Sequence, residues 1–381
     1  PAAALEDVFD DPAHGEPGRD RIAVHLLWEL VLLAAAGVLV FLVNRDFPEA
    51  IRGEQLDGLL VFGAAVGLLT MGAGITLRTG APNLALGPVA VAAGLHFAEQ
   101  SDRGVVAAMV PAAVVVVALG LAVAVLVAGF HVPAWAASLA AALAVVVFIQ
   151  QRTGPVEVQG GYDPTRHASY LFGGFAVASL LAGLFGTTKA IRRTVGRFRP
   201  VADPALRRGG VAATIVTLAT IVSMLLAMLA GVLLAAGGTG PVPPTTGFEW
   251  TAVAIGAALL GGTSAFGRRG GVAGGLLAAV ALSLFIRYAD ERDLDIALAA
   301  IGAVVVAAGL VVTRMVESYG RPRSALDPDE DWGTMSDSGT LSDWDPPRPV
   351  PPEPWTSPVP GQPAESRTDT WGAGRWGGPE R

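Results

Sequence analysis

Residues Thr251–Ile286 read TAVAIGAALLGGTSAFGRRGGVAGGLLAAVALSLFI: an apolar run, a break, and a second apolar run. Seven of the fifteen residues from Gly261 to Gly275 are glycine, and Arg268 and Arg269 sit near the middle of the break. Glycine lets a backbone turn tightly and lets helices pack closely. Arginine holds such a turn at the cytoplasmic face of a membrane. The stretch therefore reads as two short helices folded back on one another within an apolar body.

The rest of the chain supports that setting. Of its 381 residues 52% are hydrophobic and 15% charged, with a mean hydropathy of +0.52, whereas soluble domains carry about 25% charged residues. Runs such as Val105–Phe130 and Val211–Ala236 are long enough to cross a hydrocarbon core about 30 Å thick. An all-α polytopic membrane protein follows. There is no cysteine, so neither disulfides nor thiolate metal sites are available. His14, His25, His96, His131 and His167 are scattered, without a metal-ligand spacing. The acidic, polar stretch 1–21 does not have the pattern of a secretory signal.

Apolar runs between polar breaks predict about ten transmembrane helices, roughly 22–43, 57–77, 83–98, 104–129, 132–150, 168–186, 210–237, 250–267, 271–288 and 295–314. Several are short, and breaks such as TGAPN (79–83) and FGRRGG (266–271) predict discontinuous helices. Non-helical backbone survives at membrane depth only where protein or a water-filled cavity satisfies it. The segment 187–210 holds seven basic residues, Lys189 among them, and the positive-inside rule places it in the cytoplasm. Arg78, Arg268, Arg269 and Arg314 then also fall inside, and the loops 237–249 and 288–295 outside. Both termini are expected to be cytoplasmic, in a plasma (inner) membrane protein.

Charge divides the chain into three parts. Residues 1–21 form an acidic tail with six acids against two arginines. The body, 22–314, is mildly basic, and residues 315–381 carry twelve acids against six arginines. The last segment, rich in Pro, Asp, Ser and Trp, lacks the apolar content to offset its ordering entropy and is expected to be disordered. It holds five of the eight tryptophans (Trp332, Trp344, Trp355, Trp371, Trp376), a composition that also fits a docking segment for a cytoplasmic partner.

The two halves echo each other. A shift of 187 residues lays 76–95 on 263–282, matching Thr76 with Thr263, Gly80 with Gly267 and Gly87 with Gly274. Internal repeats recur in transporters, where the substrate route follows the repeat interface.

Little in the chain resembles a reactive centre. Glu29, one turn after His25, is the main carboxylate inside a span; an intramembrane acid is a functional candidate, although local pairing with His25 or a neighbouring helix is the simpler account. Thr70, Thr76, Thr214, Thr217, Thr220, Ser223, Thr263 and Ser264 are small hydroxyls within the apolar body. Each can bond a carbonyl of its own helix or line a path. Asn83 and the hydroxyls of Thr70, Thr217, Thr220, Thr263 and Ser264 are the candidate path residues. GLFGTTKA (183–190) lacks the glycine–lysine spacing of a phosphate loop. No cofactor, metal or nucleic-acid partner is expected, and no enzymatic activity of the chain itself.

With these residues in view, 247–282 resembles the C-terminal signature of ABC-transporter permeases of the ribose/simple-sugar type, within the branched-chain amino acid/monosaccharide permease superfamily. The features are GGTS, the Gly/Arg turn and the Gly-punctuated helix that follows. Upstream, TGAPNLALGPVAVAAG (79–94) is similar to the family's Gly-rich turn, with Asn83, Leu84 and Gly87 in matching places. GVLLAAGGTG (231–240) matches a span that ends in a small-residue outer loop. The resemblance implies two pseudo-repeated halves in a ten-span pore, paired with a second permease subunit, two ATPase subunits and an extracytoplasmic solute-binding protein. It places the ATPase-coupling loop at 187–210, through Arg192, Arg193, Arg197, Arg199, Ala202, Arg207, Arg208 and Gly209. There the sequence departs from the family pattern, keeping Gly196, Ala202 and Gly209 loosely. The expected function is import of a monosaccharide or similar small polar solute. The rival reading is a degenerate permease that recruits partners through its Trp-rich tail.

Overall fold

The structure, a computed structural model, describes residues 22–188, 191, 195, 209–265 and 272–320. Among the described residues it contains ten α-helices and no strand, with one isolated antiparallel bridge between Val156 and Val242. The helices are α1 (Ile22–Asp46), α2 (Gly53–Arg78), α3 (Leu86–Gln100), α4 (Val105–Ala124), α5 (Ala134–Ile149), α6 (Ala168–Phe185), α7 (Gly209–Ala236), α8 (Phe248–Leu260), α9 (Gly274–Glu291) and α10 (Leu298–Gly320). Each corresponds to one expected apolar run. Six helical segments, those containing α1, α2, α4, α6, α7 and α10, are long and apolar enough to cross a membrane. The molecule is a helical membrane protein in that sense.

The boundaries depart from the sequence reading at the breaks. The helix expected over 250–267 stops at Leu260, because Gly262 takes a φ of +85° that a helix cannot continue through. Its successor starts at Gly274 rather than 271, and α3 starts at Leu86 rather than 83, after the Leu84–Ala85 turn. At the end of α4 a turn of π-helix, Val125–Gly129, leads into His131 at positive φ.

Helix α7 packs against α2, α3 and α4, while α8 packs against α2, α3 and α10. Alanine and valine dominate the faces that meet, with Ala65, Val66, Leu69, Val216, Ala227, Val253 and Ala257 fully buried. Small side chains are what close packing requires where lipid supplies no hydrophobic drive between helices. Large apolar side chains on the outer helices, such as Leu27, Val106, Val147, Tyr170 and Val304, are exposed. That distribution would be costly in water and is the expected one beside acyl chains.

Side-chain and backbone contacts sort the connections into two ends. At one, Tyr288 donates to Asp46 at 3.0 Å and Arg292 pairs with the same carboxylate. The Val156–Val242 bridge and the bidentate Arg152–Glu99 pair, at 2.7 and 2.8 Å, knit the loops of that end. At the other end α1 meets the α8–α9 break, and Arg78 meets α6.

Candidate functional site

Four features hold the polar chemistry of the bundle: two breaks in helical backbone and two cavities that border α2. The first break runs from Thr79 to Ala85, between α2 and α3, where helical hydrogen bonds lapse among apolar helices. Its groups are satisfied by side chains from elsewhere in the chain. Ser138 of α5 accepts from Leu84 N at 3.1 Å and also lies 3.2 Å from Pro82 O. Thr251 of α8 accepts from Gly87 N at 2.9 Å and donates to Leu84 O at 3.1 Å. Asn83 caps its own turn, taking Ala85 N at 3.0 Å, and donates through Nδ2 to Ser223 of α7 at 3.1 Å. Three helices, α5, α7 and α8, are thus tied to one non-helical segment, as backbone away from water demands.

The second break lies between α8 and α9, and consecutive residues of α1 hold its two edges. Trp28 Nε1 donates to the Leu260 carbonyl at 2.7 Å, satisfying one of the free carbonyls that end α8. Glu29 Oε1 accepts from Ala273 N at 2.9 Å and Gly274 N at 3.2 Å, two of the free N–H groups that begin α9. A carboxylate there is favoured by the helix dipole. The carboxylate of Glu29, buried on α1, is therefore engaged with a neighbouring helix. Between the clamped edges the backbones nearly touch. A Cβ on Gly274 would lie 2.0 Å from Gly261 O, so this crossing admits no side chain. In the first break the matching residue, Gly87, would place its Cβ 1.8 Å from Gly247 O.

The larger cavity, about 370 Å³, lies where α2 begins and α7 ends. That is within the range of small-molecule sites. Its walls include Val61 and Phe62 of α2, Val91 and Gly94 of α3, Leu234 of α7, the segment Gly237–Thr245 in part, and Trp250 of α8. Phe62 and Trp250 meet edge to face with ring centroids 6.3 Å apart. Among the described residues, none that lines it is ionisable. Polar contacts would come from the Trp250 indole, the Thr245 hydroxyl and the carbonyls at the end of α7, which lack intrahelical donors. Such a wall disfavours an anion; the nearest charge bonded to it, the Glu249 carboxylate, accepts from the Thr245 hydroxyl at 2.6 Å.

The smaller cavity, about 50 Å³, lies toward the other end, among α2, α6, α8 and α9. Arg78, Thr70, Ser179, Thr263 and Gly275 are part of its lining. The α2 residues that border it (Gly67, Thr70, Met71, Gly74, Arg78) recur at three and four, on a different face from Val61 and Phe62. The two cavities share no lining residue and do not form one shaft through the chain.

Of the sequence-predicted path residues, Thr70 and Thr263 come together at the smaller cavity. Asn83 sits in the first break, and Ser264 is buried beside Thr263. Thr217 and Thr220 donate to Ala213 O and Val216 O of their own helix, both at 2.8 Å, and border neither cavity. Thr70 likewise donates to Val66 O at 2.8 Å. Of the coupling-loop residues, Gly209 opens α7 at φ +76°. Arg192, Arg193, Arg197, Arg199, Ala202, Arg207 and Arg208 lie outside the described residues, as do Arg268, Arg269 and the tail tryptophans. Trp28, Ser138, Thr251 and Trp250 have positions at these sites that sequence reasoning did not single out. Their partners lie 54 to 232 residues away for the hydrogen bonds cited, and nothing in the local sequence marks them.

Comparison with protein-family models, with curated proteins and with solved structures gives no match for this chain.

Proposed function

We propose that the chain is the membrane-spanning permease subunit of an ATP-driven importer for a small uncharged solute of the monosaccharide class. The observation that carries this reading is the larger cavity. It opens into a helical core, its described wall bears no ionisable group, and an aromatic pair offers apolar faces to a sugar ring. The two breaks, each helix–turn–helix with a glycine crossing at the start of the second helix, accord with a pseudo-repeated permease body. On this reading all ten helices span the inner membrane and both termini are cytoplasmic. The path is completed against a second permease copy, past Thr70, Asn83, Thr217, Thr220, Thr263 and Ser264. The basic segment 187–210 engages separate ATPase subunits, which hydrolyse the ATP, and an extracytoplasmic binding protein delivers the solute to the Trp250 end.

The test is reconstitution of the full chain in proteoliposomes with candidate ATPase and binding-protein subunits. Uptake is followed for neutral monosaccharides and for their phosphorylated analogues. Solute-stimulated ATP hydrolysis and uptake of neutral sugars alone are expected. Gly240→Trp, introduced where a Cβ would have nothing within 4 Å, should fill the cavity and reduce uptake at least about 10-fold, equivalent to about 1.4 kcal/mol. Hydrolysis indifferent to every solute, with no uptake, would sink the permease reading in favour of a membrane scaffold. Equal uptake of charged analogues would remove the solute class.

A further inference from the structure

We infer that the smaller cavity, between the C-terminal ends of α2 and α6 and the start of α9, is a binding site for a small inorganic anion of halide type. The leading observation is Arg78. It closes α2, and its Nε is shut off from solvent without a hydrogen-bond partner. One other nitrogen, Nη1, reaches the Ala182 carbonyl at a long 3.4 Å. Among the described residues no carboxylate forms an ion pair with it. Arginine does not shed its proton in proteins, so this cation calls for a counter-charge.

The remaining lining offers donors. Ala273 N and Gly274 N are taken by Glu29, but Gly275, in the same first turn of α9, borders the cavity. Its N–H precedes the first intrahelical bond, which runs from Leu277 N to Ala273 O. The positive end of the α9 dipole thus faces the same space as the guanidinium. The hydroxyls of Ser179 and Thr263 also line it, with no hydrogen-bond partner among the described residues. Thr70, whose proton goes to Val66 O, lies with its methyl carbon 4.0 Å from where a Cβ on Gly275 would stand. It therefore brings an apolar group, not a competing donor, to that side.

The shape and chemistry choose among ligands. Among the described residues, a metal cation would face a guanidinium and no carboxylate. A monosaccharide exceeds a space of about 50 Å³, which is on the scale of one or two water molecules at roughly 30 Å³ each. A bound halide would neutralise Arg78 and link α2 and α6, joined there by one long hydrogen bond, to the start of α9. The site shares Thr70 and Thr263 with the proposed path, but its test reads bromide binding and not uptake, so the two readings can fail separately.

Bromide is the probe. Purified full chain in a neutral detergent is titrated with bromide against gluconate at constant ionic strength, and thermal unfolding is followed by tryptophan fluorescence. A saturable rise in Tm is expected. Arg78→Gln should abolish it, while Arg292→Gln, at the opposite end, should leave it intact. Ser179→Ala and Thr263→Val should each weaken the apparent bromide affinity roughly 2- to 10-fold, the worth of one neutral hydrogen bond. No saturable response in the native chain, or an undiminished one in Arg78→Gln, overturns the proposal. Should Arg78→Gln fail to fold, unchanged bromide affinity in both hydroxyl variants overturns it equally.

Discussion

The adjacent glycines at the start of α9 face different constraints, and a matched pair of substitutions exposes the difference. Gly274→Ala would drive a methyl to 2.0 Å from Gly261 O, a backbone atom that cannot rotate away. Separation of α8 from α9 must follow, and such overpacking costs typically 1–3 kcal/mol or more. At Gly275 the nearest heavy atom to a new methyl is 4.0 Å away, and alanine in place of glycine is worth up to about 1 kcal/mol to a helix. Gly274→Ala should therefore lose folded yield and lower Tm by several degrees, while Gly275→Ala should be neutral or raise it. Equal Tm values for the two variants would contradict the packing described for this crossing. Glu29 supplies a second test at this scale. Glu29→Leu leaves two buried N–H groups unsatisfied, at about 1–3 kcal/mol each, whereas Glu29→Gln keeps an acceptor oxygen. The loss of stability in detergent should be clearly larger for leucine; a glutamine variant equally unstable would mean that the charge, not the cap, is what matters.

At the scale of elements, the break between α2 and α3 persists because Ser138, Thr251, Asn83 and Ser223 take over what helical bonding leaves undone. Thr251→Val keeps the shape but removes an acceptor for Gly87 N and a donor for Leu84 O. It should destabilise by about 2–6 kcal/mol for two orphaned groups, with Thr251→Ser recovering most of the loss; a valine variant as stable as the native chain would show that water or rearranged backbone fills in. The start of α6 offers a pH-dependent case outside the spans. Asp163 accepts from the Thr165 hydroxyl and Thr165 N at 2.5 and 3.0 Å, and these bonds hold its carboxyl below the usual carboxylate range. A group depressed on folding stabilises above its unfolded pKa, about 3.9, and loses that contribution as pH falls through the folded value. Asp163→Asn should reduce the acid sensitivity of Tm below about pH 4 and leave the neutral-pH slope unchanged. These elements also show where sequence reading succeeds. Ten apolar runs correspond to ten helices among the described residues, of which six segments are long and apolar enough to cross a membrane. The α8 terminus was misplaced because Ala265 and Phe266 carry the apolar run past GGTS in the sequence, whereas the positive φ at Gly262 ends the helix before them. The capping partners were illegible for a different reason. Trp28 and Glu29 act on residues 232 to 245 positions away, and a polar residue on an apolar helix carries no sign of which distant backbone it satisfies.

For the whole molecule, the proposed topology makes a prediction that the absence of cysteine renders simple to check. The contacts gather residues 46–55, the loop around Val156, the segment around Val242 and residues 287–292 at one end, and Arg78, the α6 terminus and the α8–α9 break at the other. Successive helices that join these ends must alternate in direction. Under the positive-inside rule the second end, next to the basic segment 187–210, is cytoplasmic. Single cysteines at exposed Glu49 and Thr239 should therefore react with a membrane-impermeant maleimide in intact cells. A cysteine at exposed Thr188 should react only after the membrane is opened. Labelling of Thr239→Cys and Thr188→Cys from the same side would break the alternation and with it the ten-span reading. Labelling from opposite sides in the reversed sense would keep the bundle but invert it, placing the larger cavity toward the cytoplasm. An importer fed by an extracytoplasmic binding protein requires the uncharged cavity to face outward, so that inversion would also remove the proposed delivery route.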